Sequence, residues 1–102
     1  MTYPEIETSV NVTRQVLADS PELMTVCFRF KAEGAEGALH SHPHVQSTFV
    51  QSGRFRFSRG EESFEVGPGD AFVIASNVVH GCVCLEPGVL IDGFTPRRDD
   101  FL

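Results

Sequence analysis

Three of the four histidines in this chain fall within five residues, at His40, His42 and His44, and the fourth, His80, follows a second glycine-containing turn. On an extended segment, residues two apart point to the same side, so His40 and His42 present their imidazoles together. Neutral imidazole is the commonest protein ligand for zinc, nickel, copper and iron. These rings predict a metal pocket. His44 shares the parity of the pair but sits where the chain should turn, which assigns it to the rim or to a supporting role.

The elements that must position these rings are short strands. Residues 13–18 and 23–31 read as a hairpin joined through Asp19-Ser20-Pro21-Glu22. In its second arm Met24, Val26, Phe28 and Phe30 alternate with Thr25, Cys27, Arg29 and Lys31, the pattern of a half-buried antiparallel strand. Gly34 and Gly37 then break the pattern and lead into the histidines. Beyond them, turn residues at Ser52-Gly53, Gly60-Glu61, Gly67-Pro68-Gly69-Asp70, Ser76-Asn77 and Glu86-Pro87-Gly88 divide the chain into strands over 46–51, 54–59, 63–66, 71–75, 80–85 and 89–95. These segments are rich in Phe, Val and Ile. No helix of ten or more residues is expected, and the spacing predicts an all-β sandwich or a barrel-like jelly roll.

At 102 residues and 41% hydrophobic the chain makes one domain over 1–102. Its longest apolar runs are far short of the roughly 20 residues that cross a bilayer, so no membrane partner is expected. The opening residues carry glutamates and a proline instead of a basic, then apolar leader. Cys27, Cys82 and Cys84 are odd in number, and the last two are too close to bridge comfortably, which reads as reduced thiols in a cytoplasmic protein. Cys82 and Cys84 share strand parity with His80 and are expected as buried packing residues. A net charge of −6 with eight Lys and Arg makes nucleic acid a poor partner. Arg54, Arg56 and Arg59 interleave with Phe55 and Phe57, the pattern of a solvated strand face.

The spacing Gly34-x5-His40-x-His42-x3-Gln46-x6-Gly53 resembles the first motif of the cupin superfamily, and Gly69-Asp70 with His80 resembles the second. Gln46 stands at the usual glutamate, Ala75 and Asn77 at the usual proline and glycine, and Cys84 at the usual asparagine. The resemblance implies a single-domain cupin, a small jelly-roll barrel, with His40, His42, Gln46 and His80 as ligands of a divalent transition metal. Within the superfamily, the His-x-His-Pro-His-x-Gln core and the stretch from His80 to Leu102 are similar to the pectin-degradation cupins. That closer resemblance spans the chain from Thr13 onward.

A glutamine in place of glutamate leaves every donor uncharged, so the ion keeps its full charge, acts as a stronger Lewis acid and attracts anions. This disfavours oxygen-activating chemistry and suits a carboxylated substrate. Nitrogen-rich ligation is compatible with nickel, zinc, iron or manganese. The subfamily implies a small anionic sugar, a 4,5-unsaturated uronate released by pectin or alginate lyases, converted to its linear keto form. Alternation with Ile91 and Gly93 puts Asp92 on one face with Leu90 and Phe94, where it would be a general acid/base. Phe94 would wall the pocket, and Arg98, or its neighbour Arg97, would clamp the substrate carboxylate. Fold analogy further suggests a homodimer, with strand 13–18 as a candidate for exchange. Another metal-dependent cupin enzyme, a dioxygenase or sugar isomerase, and a non-catalytic sugar-binding cupin are the competing readings.

Overall fold

The computed structural model describes residues 2–102. Its strands are β1 (Ile6–Ser9), β2 (Val12–Ser20), β3 (Leu23–Phe30), β4 (Glu36–His40), β5 (Val45–Arg59), β6 (Glu62–Val66), β7 (Ala71–Ile74) and β8 (His80–Thr95), followed by a 3-10 turn, Asp99–Phe101. Strand accounts for 65% of the chain and helix for 3%, so the all-β jelly-roll expectation holds. All pairings are antiparallel, in the order β1-β2-β3-β8-β5-β6, with β4 on β8 and β7 on β5. The path does not return on itself, so the sheet folds over its core without closing into a complete barrel.

Two expected pairs of strands are in fact two long ones. Residues 46–51 and 54–59 are continuous in β5, and residues 80–85 and 89–95 in β8. The turn-forming residues between them bend the ladder without ending it. Residues 45–50 of β5 pair with residues 90–95 of β8, and residues 54–59 pair with 80–86, with register shifts between Val50 and Phe55. Bulges of this kind let a strand pass from one layer to the other. One layer is thus β1-β2-β3-β8-β5-β7 and the other β4-β8-β5-β6. At the bend the strands touch backbone to backbone. Gly53 has φ +78, and a Cβ there would lie 2.6 Å from the Glu86 carbonyl oxygen, while one on Gly88 would overlap the Ser52 carbonyl.

β1 and β4 went unrecognised in the sequence because Ile6–Ser9 is exposed throughout and Glu36–His40 is broken by Gly37. β2 pairs with β3 along its length, whereas β1 covers its other side only over Val12–Arg14. Of the segment 13–18, Thr13 and Arg14 are thus paired on both sides, and the rest has a strand partner on the β3 side alone. Arg54 and Arg56 face Glu65, and Arg59 faces Glu62, across β5–β6, as a solvated face requires. Among the described residues no helix is long and apolar enough to cross a membrane.

The core forms two apolar groups. The larger includes Val12, Phe30, Val50, Phe55, Phe57, Cys82, Cys84 and Leu90; the smaller is Val16, Met24, Val26 and Phe94. Phe28 packs against both. A cavity of about 200 Å³ is lined by members of each together with His40, His80, Gln46, Asp92, Arg14 and Arg98.

Candidate metal centre and its pocket

His40 ends β4 and His80 begins β8, and the two are directly paired in the ladder. Their ring centroids are 4.3 Å apart. His42 lies in the loop beyond β4, not on a strand, so ladder parity alone does not aim it. Its carbonyl accepts from the Asn77 N–H at 2.8 Å, which ties that loop to the one preceding β8. Asn77 has φ +65, a left-handed conformation that asparagine tolerates better than most residues. This explains how it can stand at a position where the family motif has glycine. The His42 ring then sits 4.8 Å from His80 and 5.5 Å from His40. One ligand-type atom from each of the three histidines lies within 4.8 Å of the others.

Each ring has its proton placed by the backbone. Nδ1 of His40 lies 2.7 Å from the Ala38 carbonyl, Nδ1 of His42 3.0 Å from that of His44, and Nδ1 of His80 2.9 Å from that of Val78. A carbonyl oxygen only accepts, so each Nδ1 carries the hydrogen and each Nε2 is left with a lone pair. Burial, reinforced by the neighbouring imidazoles, pushes His80 down to about 4, and burial also lowers His42. Those two rings are therefore neutral near pH 7.

The opposite wall comes from the other layer, where Gln46 and Thr48 of β5 pair with Phe94 and Asp92 of β8. Gln46 Nε2 donates to Thr48 Oγ1 at 3.0 Å and to Asp92 Oδ2 at 3.2 Å. Both amide hydrogens are thereby used on one side, and Oε1 faces His42 Nε2 at 3.1 Å. Two lone-pair atoms thus confront each other with no hydrogen between them. Nε2 of His80 is also buried without any partner. Such unsatisfied acceptors are costly unless a positive centre sits among them. The donor set, three imidazole nitrogens and an amide oxygen, fits a divalent transition ion.

Asp92 is buried, with Oδ1 unpartnered. Desolvation raises its pKa to about 7, against a smaller lowering by the Thr48 hydrogen bond. Phe94 is 2% exposed, belongs to the core and also lines the cavity, with its ring edge-on to His42. Arg98 lines the cavity too, stacking over Phe94 and Phe101 and donating to both oxygens of Asp100, whereas Arg97 turns away to pair with Asp99. His44 stays outside the triad and acts on it through its carbonyl. Cys82 stands outside the histidine cluster, with burial lifting its thiol to about 12, and Cys84 donates to the Glu86 carbonyl.

Two residues that support or line the site escaped sequence reasoning. Thr48 holds the Gln46 amide, and its place two residues after Gln46 on the inward face was the available signal. Arg14 was the other: it interrupts the buried pair Val12 and Val16 at inward parity on β2. Phe101 props both cavity arginines, with guanidinium carbons 4.0 Å (Arg14) and 4.3 Å (Arg98) from its ring centre. Phe101→Ala is expected to lower the thermal midpoint and raise KM, through two cation–π contacts of roughly 0.5–1 kcal/mol each plus lost packing. An unchanged melting curve would show that the 3-10 turn does not brace the pocket.

A single-domain, all-β fold with a histidine cluster between its layers defines the cupin class, and the "Cupin domain" profile matches residues 27–93. The chain belongs to the cupin family. It is 41% identical over 97% of its length to the pectin degradation protein KdgF of Dickeya dadantii (strain 3937), of which 91% is covered. The structure of KdgF from Halomonas sp. superposes with a TM-score of 0.91 at 39% identity, covering 98% of this chain and 92% of that one. An RmlC-like cupin from Shewanella frigidimarina NCIMB 400 gives 0.92 at 36% identity, over 98% and 89% of the two chains.

Proposed function

We propose that this cupin is a metal-dependent enzyme that converts a 4,5-unsaturated uronate monosaccharide into the linear 5-keto-4-deoxyuronate, a step in pectin or alginate breakdown. The observation that carries the reading is the juxtaposition of two parts. A cluster of uncharged donors, His40, His42, His80 and Gln46, faces a buried carboxyl, Asp92, that shares the Gln46 amide. The likeness to proteins named for pectin degradation supports the substrate class. A cavity of about 200 Å³ suits a single sugar better than a polymer.

His40, His42, Gln46 and His80 would hold nickel, zinc, iron or manganese; with no anionic donor, the bound ion supplies Lewis acidity at its full charge. The remaining steps fall to the protein. Asp92 takes the proton of the anomeric hydroxyl as the C1 carbonyl forms and the C1–ring-oxygen bond breaks. The electron pair stays on that oxygen, leaving an enolate across O5, C5 and C4. Asp92 then returns a proton to C4 as the C5 ketone forms, so no proton is gained or lost overall. A carboxyl that titrates near neutrality suits both directions of transfer. Phe94 excludes water beside Asp92, and Arg98 walls the same cavity.

The test is to mix the protein with unsaturated galacturonate and follow the ultraviolet absorbance of its conjugated double bond, against buffer alone. Loss no faster than in buffer would defeat the proposal. Chelator treatment is expected to abolish turnover and adding back a divalent ion to restore it. The same ion should raise the thermal midpoint of the wild type, by about 2.7 kcal/mol of stabilisation at a hundredfold excess over Kd. His80→Ala should lose that increment. An equal shift in both proteins would place the ion elsewhere.

A further inference from the structure

Arg98 and Arg14 both reach the cavity, but their charges are not equally available. Arg98 spends two donors on Asp100, at 3.1 and 2.9 Å. That bidentate pair is nearly sealed from solvent on the Arg98 side, whose side chain is 12% exposed. Arg14 has no hydrogen bond or ion pair among the described residues. It leans on the Phe101 ring at 4.0 Å, is half-buried and lines the cavity with Asp92, His40 and His80. A stacked, partly desolvated guanidinium still has its fork of donors free, and that fork matches a carboxylate.

The position is set by the frame. Arg14 pairs with Phe28 in the β2–β3 ladder, and Phe28 pairs with Leu90 on β8, two residues before Asp92. The guanidinium therefore projects from the same inward surface as the buried carboxyl.

We propose that Arg14 is the residue that selects carboxylated sugars: its unpaired guanidinium receives the uronate carboxylate, while Arg98, held by Asp100, walls the site. This rests on the proposed function for the identity of the sugar, but not for the preference for an anion. Asp92 inside the same pocket would repel that anion when ionised, which favours a receptor cation whose donors are free: Asp100 lies close enough to act on Arg14 electrostatically but makes its hydrogen bonds with Arg98.

The test uses full-length metal-loaded protein, titrated with D-galacturonate and separately with D-galactose by calorimetry or NMR, alongside steady-state kinetics on unsaturated galacturonate. Wild type is expected to prefer galacturonate. Arg14→Met, which keeps an apolar stem over Phe101, should cut that preference and raise KM roughly tenfold to a hundredfold, the scale of a lost charge-assisted pair. It should leave galactose binding and the melting temperature nearly unchanged. Arg14→Lys should recover part of the preference, because a point charge replaces the fork. Equal binding of the two sugars by wild type, or an Arg14→Met protein that folds and keeps the wild-type preference, would overturn the inference. A wild type that discriminates through Arg14 yet never turns over unsaturated galacturonate would refute the proposed reaction and leave the anion receptor standing.

Discussion

Asp92→Asn is expected to lower kcat by roughly 10²–10⁴, the range for losing a positioned proton-transfer group, with a much smaller change in KM. The substitution keeps size and shape and can still accept from Gln46, whose amide lies 3.2 Å from the native carboxylate. The metal pocket should therefore survive, and a retained metal-induced rise in melting temperature would confirm it. A second readout comes from linkage. The folded carboxyl titrates at about 7, against roughly 3.9 for a free aspartate. In metal-free protein its contribution is fully present below the unfolded value and lost as pH rises through 7. Asp92→Asn, which has nothing to ionise, should gain stability relative to wild type between about pH 4 and pH 8. If kcat of Asp92→Asn stayed within a few-fold of wild type, another group must move the protons.

The largest effect on stability is expected at the bend where β5 and β8 cross. A methyl group on Gly88 would occupy the space of the Ser52 carbonyl and the Gly53 Cα. Both obstacles are backbone, so no rotamer change relieves them, and the strands must separate. Gly88→Ala should cost ~3 kcal/mol or more, which for a chain of this size lowers Tm by about 12 °C or more. Gly93→Ala is the matched control on the same strand: a Cβ there meets nothing within 4 Å, and the change should stay within about 1 kcal/mol. Thermal or denaturant unfolding of both variants decides the matter. Similar midpoints for the two would mean that the crossing is looser than its geometry indicates.

The sequence displayed the site better than the frame that carries it. Histidine spacing brought His40, His42 and His80 into one prediction, and alternation along 90–94 placed Asp92 and Phe94 on the inward face, where they lie. Those signals survive because parity is local and a ladder preserves it. The continuity of β5 and β8 was hidden, because Ser52-Gly53 and Pro87-Gly88 look the same whether they end a strand or bend it. What distinguishes the cases is a partner bending at the same level, which is a long-range fact. The proton positions on the histidines were equally invisible, since they depend on carbonyls placed by the folded backbone. Arg97 and Arg98 could not be separated by sequence, and the carboxylates each meets, Asp99 and Asp100, separated them. Arg14 was overlooked because one arginine in an apolar alternation reads as a solvent-facing residue until the opposite wall is known.

His80 and Asp92 stand near the two ends of one uninterrupted strand, β8, which runs through both layers. Their separation is therefore a property of the hydrogen-bonded scaffold, with no flexible connection in between that could stretch or slip. Descendants of such a scaffold can exchange side chains around the entrance, such as Arg14 and Phe101, and so acquire new tastes in ligand. The spacing between the histidine cluster and the buried carboxyl stays as it is, because altering it would require unmaking the architecture itself.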